Sequence, residues 1–213
     1  MAPPIIYGPA LSTYVRTTRL VCEEKGAEYQ LVDVDIMQGA NKTPEHLARH
    51  PFGRVPAFEH DGFRLYETSA ITRYLDAVLP GPALTPGDAR GAARMQQAIA
   101  VVDSYAYGAM ISAIVIQRVV MPMVGGVADE TVIAAALPTA ETSLAALEAL
   151  LGQGHYLAGE TISLADLHLA PVMAYFSATP EGQARLPGYP GLARWWAAVS
   201  ARPSMARTQP PLG

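Results

Sequence analysis

"FGRVPAFEHDGFRLYETSAI", residues 52–71, decides the fold. Two short β-like runs, "VPAFEH" and "FRLYE", flank Asp61-Gly62. An Asp-Gly pair between such runs predicts a tight antiparallel hairpin. Pro56 sits inside the first run. Proline donates nothing to a sheet ladder, so it belongs at an edge, a strand start or a bulge. "TSAITRYLDAVLP" then reads as a helix beginning at Thr68.

Working back from this stretch, "TPEHLARH" gives one or two helical turns with Thr43 as N-cap and Pro44 in the first position. "EYQLVDVDI" alternates as a strand does, and "PPIIY" is another strand. Between them, "STYVRTTRLVCEEKG" has a Ser/Thr start and Gly26 at its end, the marks of a helix. The order is β-α-β followed by α-β-β-α.

Working forward, "PGPALTPGDARG" is a linker rich in proline and glycine, and strand signals stop after it. Apolar spacing and breakers predict helices over about 88–121, 129–151, 163–178 and 188–201. "TISLADLHLAP" carries a capping box, Ser163 with Asp166, and a hydrophobic staple, Ile162 with Leu167. These are folding devices. The predicted domains are residues 1–80, a linker over 81–90, and an all-helical domain over 91–213.

Composition narrows the function. Half of the 213 residues are hydrophobic and 16% are charged, which makes the chain globular. Net charge is -4 with no long basic run, which argues against a nucleic-acid partner. Cys22 is the single cysteine, so no internal disulfide forms and a reducing, cytoplasmic location is expected. "AYGAMISAIVIQRVVM" is the most apolar run; Gln117 and Arg118 interrupt it, and it reads as a buried helix with no membrane role.

With these motifs placed, the chain resembles the cytosolic glutathione S-transferases. The likeness lies in "YGPALSTYVRTTRLVCEEKGAEYQLVDVDI", "KTPEHLARHPFGRVPAFEHDGFRLYETSAITRYL", "TISLADLHLAPV" and "YPGLARWWAAVSARPS", which together cover most of the sequence. It is similar to the serine-type members, phi-like ones above all, including bacterial relatives. The resemblance implies a thioredoxin-like α/β domain followed by an all-α domain. It also implies a homodimer that conjugates reduced glutathione, as co-substrate, to small apolar electrophiles in detoxification. No permanently bound cofactor and no metal is implied.

The resemblance also assigns residues. Pro56 is expected in cis, with the Val55 backbone pairing with glutathione like an added strand. Thr68 opens a helix whose free N–H groups suit the γ-glutamyl carboxylate, with Glu67 facing the γ-glutamyl ammonium. The family usually has Ser at Thr68. For the glycyl carboxylate, Lys42 and Arg54 are both candidates; Asn41 replaces a common His, and Arg54 a common Gln. Tyr14, Tyr107, Met110, Ile111 and Ile114 are candidates to line the electrophile site, although such a stripe also serves as core. Asp103 is a candidate to approach the ammonium from a second subunit.

Thiol activation needs little. Free thiols titrate near about 8.5, and lowering this by two units takes about 2.7 kcal/mol. A hydrogen bond to a charged group supplies about 1.5–3 kcal/mol and a helix N-terminus about 0.3–2 kcal/mol. Ser12 stands between the first strand and the first helix. It is preferred as the donor over Tyr7 and Thr13, and Arg16, one turn on, is a candidate either to add positive potential or to serve a surface or interface role. Cys22 lies too deep in the helix to act as nucleophile. His46 and His50 have a ligand spacing with no third partner, which is weak as a metal motif. Two alternatives stand beside the transferase. One is a non-catalytic binding or interaction protein on the same fold. The other is an isomerase, dehalogenase or ether-cleaving enzyme using glutathione; hydroperoxide reduction is a further possible outcome of the same thiolate.

Overall fold

The computed structural model describes residues 2–210, in two compact units. The first runs through Leu84 and takes back the segment from Ala201; the second is Thr85–Ser200.

The first unit is a four-stranded sheet with helices. Its strands are β1 (Ile5–Tyr7), β2 (Gln30–Val32), β3 (Ala57–His60) and β4 (Phe63–Tyr66). Their order is β2-β1-β3-β4, with β1 and β2 parallel and the other pairings antiparallel. Ile6 pairs with Leu31 on one side and Phe58 on the other, and Ile6 and Phe58 are buried by the two-residue alternation. Asp61 and Gly62 both have positive φ, 49° and 81°, as the two-residue hairpin link requires.

α1 (Thr13–Lys25) starts at Ser12 and stops at Gly26, whose left-handed φ of 66° suits glycine at a helix end. α2 (Pro44–Leu47) is the short helix capped by Thr43, and α3 (Thr68–Val78) follows the hairpin. Val15, Leu20, Ile71 and Leu75 from α1 and α3 complete the core. Lys25 closes the end of α1: its Nζ donates to Asp76 Oδ1 at 3.1 Å and to the carbonyls of Asp76 and Pro82 at 3.0 Å. β2 is shorter than the alternation of residues 28–36 predicts, because it is an edge strand and its one partner, β1, has three residues.

The second unit is helical. α4 (Ala89–Val101) continues without a break through Val102–Val120, which is wound as a π-helix, into α5 (Met121–Met123). Then come α6 (Glu130–Leu151), α7 (Leu164–Phe176), α8 (Pro180–Arg185) and α9 (Pro190–Ser200). Met110, Ile114, Leu144, Leu147, Phe176, Leu192 and Trp195 are its buried centre. Asp166 is fully buried and does more than close the capping box. It accepts from Ser163 N at 2.8 Å, Leu157 N at 2.9 Å and Trp195 Nε1 at 2.8 Å, tying the loop, α7 and α9 together.

The last helix, α10 (Pro203–Arg207), belongs to the first unit, where the sequence reading gives it to the helical one. The cause is a set of bonds to α1. Arg16 Nη2 donates to Met205 O at 2.9 Å and Arg19 Nη1 to Thr208 O at 3.2 Å. Arg202 grips Glu24 with two bonds, at 2.8 and 2.6 Å.

Candidate functional site

Ser12 is the N-cap of α1, in extended conformation (φ -69°, ψ 129°). Its Oγ accepts from Val15 N at 3.4 Å, longer than a good N–H···O bond. Its hydroxyl proton is donated to no group among the described residues, so Ser12 presents a donor at the positive end of a helix. Arg16, one turn on, is buried and committed to the α10 segment through Met205 O and Thr208 Oγ1.

The second part of the site lies at the end of the hairpin. The Val55–Pro56 bond is cis. Among the described residues, the Val55 N–H and C=O make no hydrogen bond, although every main-chain group needs a partner in water or protein. Ala57 pairs with Tyr66, so Val55 and Thr68 leave the same end of the ladder. At Thr68 the helix begins with its first N–H groups unused; Ala70 and Ile71 N already bond to Glu67 O. Glu67 itself has φ 69° and ψ 115°. A positive φ at a residue other than glycine costs of order 1–3 kcal/mol and is concentrated at functional positions.

The chain before Val55 is pinned at successive carbonyls. Lys42 Nζ reaches Phe52 O at 3.5 Å, Asn41 Nδ2 donates to Gly53 O at 2.7 Å, and His46 Nε2 meets Arg54 O at 2.8 Å. That last contact requires the proton on Nε2 and assigns His46 a positioning role. His46 and His50 rings stack at 6.5 Å, and His50 also meets Tyr66 at 5.1 Å. Burial holds the His50 imidazole below its ordinary pKa, against the pull of Glu67. Among the described residues no group of three or more His, Cys, Asp or Glu is arranged to hold a metal.

Asn41 is thus occupied with the loop, while the Lys42 ammonium and the Arg54 guanidinium are exposed. Tyr7 is half-buried at the end of β1, with the Arg49 guanidinium carbon 4.4 Å from its ring centroid. No local sequence signal announces that pair, which joins residues 42 positions apart. Cys22 is fully buried and its thiol is pushed up to about 12, chiefly by desolvation. Asp103 is engaged in its own chain, 2.7 Å from His168 Nε2. Of the electrophile candidates, Tyr14 and Tyr107 are partly exposed, whereas Met110, Ile111 and Ile114 are buried.

This arrangement meets matching families and relatives. Residues 5–77 match the glutathione S-transferase N-terminal domain and residues 107–203 the glutathione S-transferase C-terminal domain. A probable glutathione S-transferase, GSTF1 of Oryza sativa subsp. japonica, is 36% identical over 211 residues, covering 97% of this chain and 95% of the relative. The solved structure of glutathione S-transferase III in apo form superposes with a TM-score of 0.88 at 34% identity, covering 100% of this chain and 99% of the other. Glutathione S-transferase I from mais, in complex with an atrazine glutathione conjugate, gives 0.84 at 33% identity, over 97% and 96%.

Proposed function

The chain belongs to the glutathione S-transferase family, and on that premise we propose that Ser12 supplies the hydroxyl that holds the glutathione thiolate. It is a phi-like glutathione transferase, with reduced glutathione as co-substrate and conjugation to electrophiles as its activity.

The observation that carries the site assignment is the unmet Val55 N–H and C=O at the same end of the hairpin as the open start of α3. A peptide backbone satisfies both Val55 groups at once, as an added strand does. Glutathione's cysteinyl unit fills that place. Its γ-glutamyl carboxylate meets the Thr68 N–H and hydroxyl, and Glu67 faces the ammonium. Lys42 holds the glycyl carboxylate, with Arg54 as a second cation, and Asn41 fixes the loop. Tyr14, two residues after the Ser12 cap, contacts the electrophile.

The chemistry follows from charge. The thiol proton leaves to solvent. The Ser12 O–H and the N-terminus of α1 stabilise the sulfur anion left behind. The sulfur electron pair forms the new bond to carbon, and the leaving group departs with its bonding pair. On an activated alkene the carbanion takes a proton from water instead.

Two further points belong to this reading. Phe52 is 65% exposed and stacked edge-on with His50 and Tyr66, a rigid apolar knob that a second copy of the chain covers, giving a homodimer. A cytoplasmic location fits a single, buried, reduced cysteine.

The deciding experiment is an ultraviolet titration of bound glutathione, wild type beside Ser12→Ala. Thiolate present below pH 7 in the wild type and absent in the variant supports the assignment. Equal thiolate in both overturns it.

A further inference from the structure

Gly8 follows Tyr7, the last residue of β1, and its N–H donates to Val32 O at 2.9 Å, so the turn that leads to Ser12 is tied to β2. Tyr7 pairs with Ala57, which brings Gly8 opposite the Val55–Pro56 segment. A Cβ built on Gly8 would press into Val15 Cγ2, on α1, and would lie 3.0 Å from Val55 Cβ. Carbon atoms rest against each other at about 3.5–4.0 Å, so Val15 and Val55 close in on a position that has no room for a side chain. Its φ of 152° is an angle that glycine adopts readily and other residues do not. Both neighbours belong to the site. The Val15 N–H is the donor to Ser12 Oγ, at 3.4 Å, so the placing of Val15 is the placing of the Ser12 cap. The Val55 main chain is the edge with unmet N–H and C=O.

We propose that Gly8 is a positioning residue for the reaction: its missing side chain sets how close the Ser12 hydroxyl stands to the edge at Val55, and so to the sulfur of a cysteinyl unit docked there. The proposal rests on the transferase reading above. Pairing with Val55 fixes where the cysteinyl backbone lies, and the start of α1 fixes where the hydroxyl lies. Gly8 packs against a residue of each. A side chain at position 8 cannot drive Gly8 backwards, because its N–H is held by β2. The displacement falls on Val15 and Val55, which move apart and carry the donor away from the sulfur. A misplacement of about 1 Å in a reacting geometry costs up to about 100-fold in rate.

The test compares Gly8→Ala and Val15→Ala with wild type and Ser12→Ala. Gly8→Ala widens the packing and strains the backbone, whereas Val15→Ala thins the packing and leaves the Gly8 backbone alone. The pKa of enzyme-bound glutathione is read by thiolate absorbance, and the Kd of S-methylglutathione measures docking without a thiol. Gly8→Ala is expected to raise the bound-thiol pKa by about one unit, roughly a tenfold loss of thiolate below that pKa. Its Kd for S-methylglutathione is expected to stay within about threefold of wild type, because the peptide moves with Val55. Val15→Ala is expected to shift the thiol pKa by about half a unit, and it decides the matter if Gly8→Ala does not fold. An unchanged thiol pKa in folded Gly8→Ala overturns the proposal, whatever its melting temperature. A raised pKa in Gly8→Ala beside an unchanged one in Val15→Ala assigns the effect to backbone strain and also overturns it. So does a loss of S-methylglutathione affinity of more than about tenfold in Gly8→Ala, which would make Gly8 a docking residue. Each of these results leaves the transferase reading standing if wild type still holds thiolate that Ser12→Ala lacks; no thiolate in wild type removes that reading itself.

Discussion

The Arg49 guanidinium lies 4.4 Å from the centroid of the Tyr7 ring, and Arg49 Nη2 is bonded to Glu45 Oε1 at 2.9 Å. A cation over a tyrosine face is worth about 0.5–2 kcal/mol and fixes the ring. Tyr7 therefore has a packing role at the end of β1. Tyr7→Phe keeps the ring and is expected to leave kcat/KM within about threefold of wild type. Ser12→Ala loses about 10–100-fold, the worth of one hydrogen bond to a charge. Steady-state rates with an aryl halide acceptor check both. A tenfold loss in Tyr7→Phe would return the activating role to the phenol.

Gly53 is left-handed, with φ 61°, and a Cβ added there would meet Lys42 Nζ at 2.8 Å and Asn41 O at 2.9 Å. Gly53→Ala therefore forces backbone strain and displaces the lysine assigned to the glycyl carboxylate. Strain of roughly 1–2 kcal/mol corresponds to a rise in the KM for glutathione of about 5- to 30-fold. kcat is expected to change by less than about threefold, because the sulfur end is untouched. A kcat loss with KM constant would separate this loop from glutathione binding.

Glu24 links α1 to the α10 segment. Burial acts to raise its carboxyl, but the bonds from Arg202 and Ser204 outweigh it and hold the pKa below the usual glutamate value. A folded-state pKa below the unfolded one gives stability that is fully present above the unfolded value and lost as pH falls through the folded one. Thermal melts from pH 7 down to pH 3 are expected to show wild type losing stability faster than Glu24→Gln below about pH 4.3. At pH 7 the variant is less stable by about 1–3 kcal/mol. Parallel curves would show that this ion pair does not set the acid limit.

Cys22, with its thiol at about 12, is expected to be inert in the native protein. At pH 7 roughly one molecule in 10^5 carries the thiolate. Iodoacetamide should label no cysteine in the folded chain and one in denaturant, as read by intact mass. Native labelling on the timescale of minutes would mean that α1 opens locally.

Much of the first unit was legible because its signals are local. Ser12 and Gly26 bound α1, Thr43-Pro44 start α2, and Asp61-Gly62 turn the hairpin, each through its own backbone preference. The length of β2 was not legible, since it depends on where β1 runs out of partners. The π-winding of Val102–Val120 was not legible either: apolar spacing reports which face is buried, not which carbonyl each N–H selects. α8 and α10 each open on a proline in the first position, a signal present at Thr179-Pro180 and Arg202-Pro203 and passed over. In the site, the roles given to Ser12, Val55-Pro56 and Thr68 came from the family resemblance, since local chemistry alone reads them as two helix starts and an edge-strand proline. The contacts of Arg49 with Tyr7 and of His46 with Arg54 O came only from three-dimensional proximity.

The return of α10 to α1 has a consequence for biosynthesis. A ribosome makes the sheet and its three helices first, then the whole helical unit, and only afterwards the segment from Ala201 that supplies acceptors for Arg16 and Arg19 and a partner for Glu24. Until that segment emerges, two arginines and a glutamate of α1 lack the groups that bury them. The glutathione-binding half is thus begun first and finished last, and nascent chains halted before residue 201 should expose α1 to chaperones and proteases.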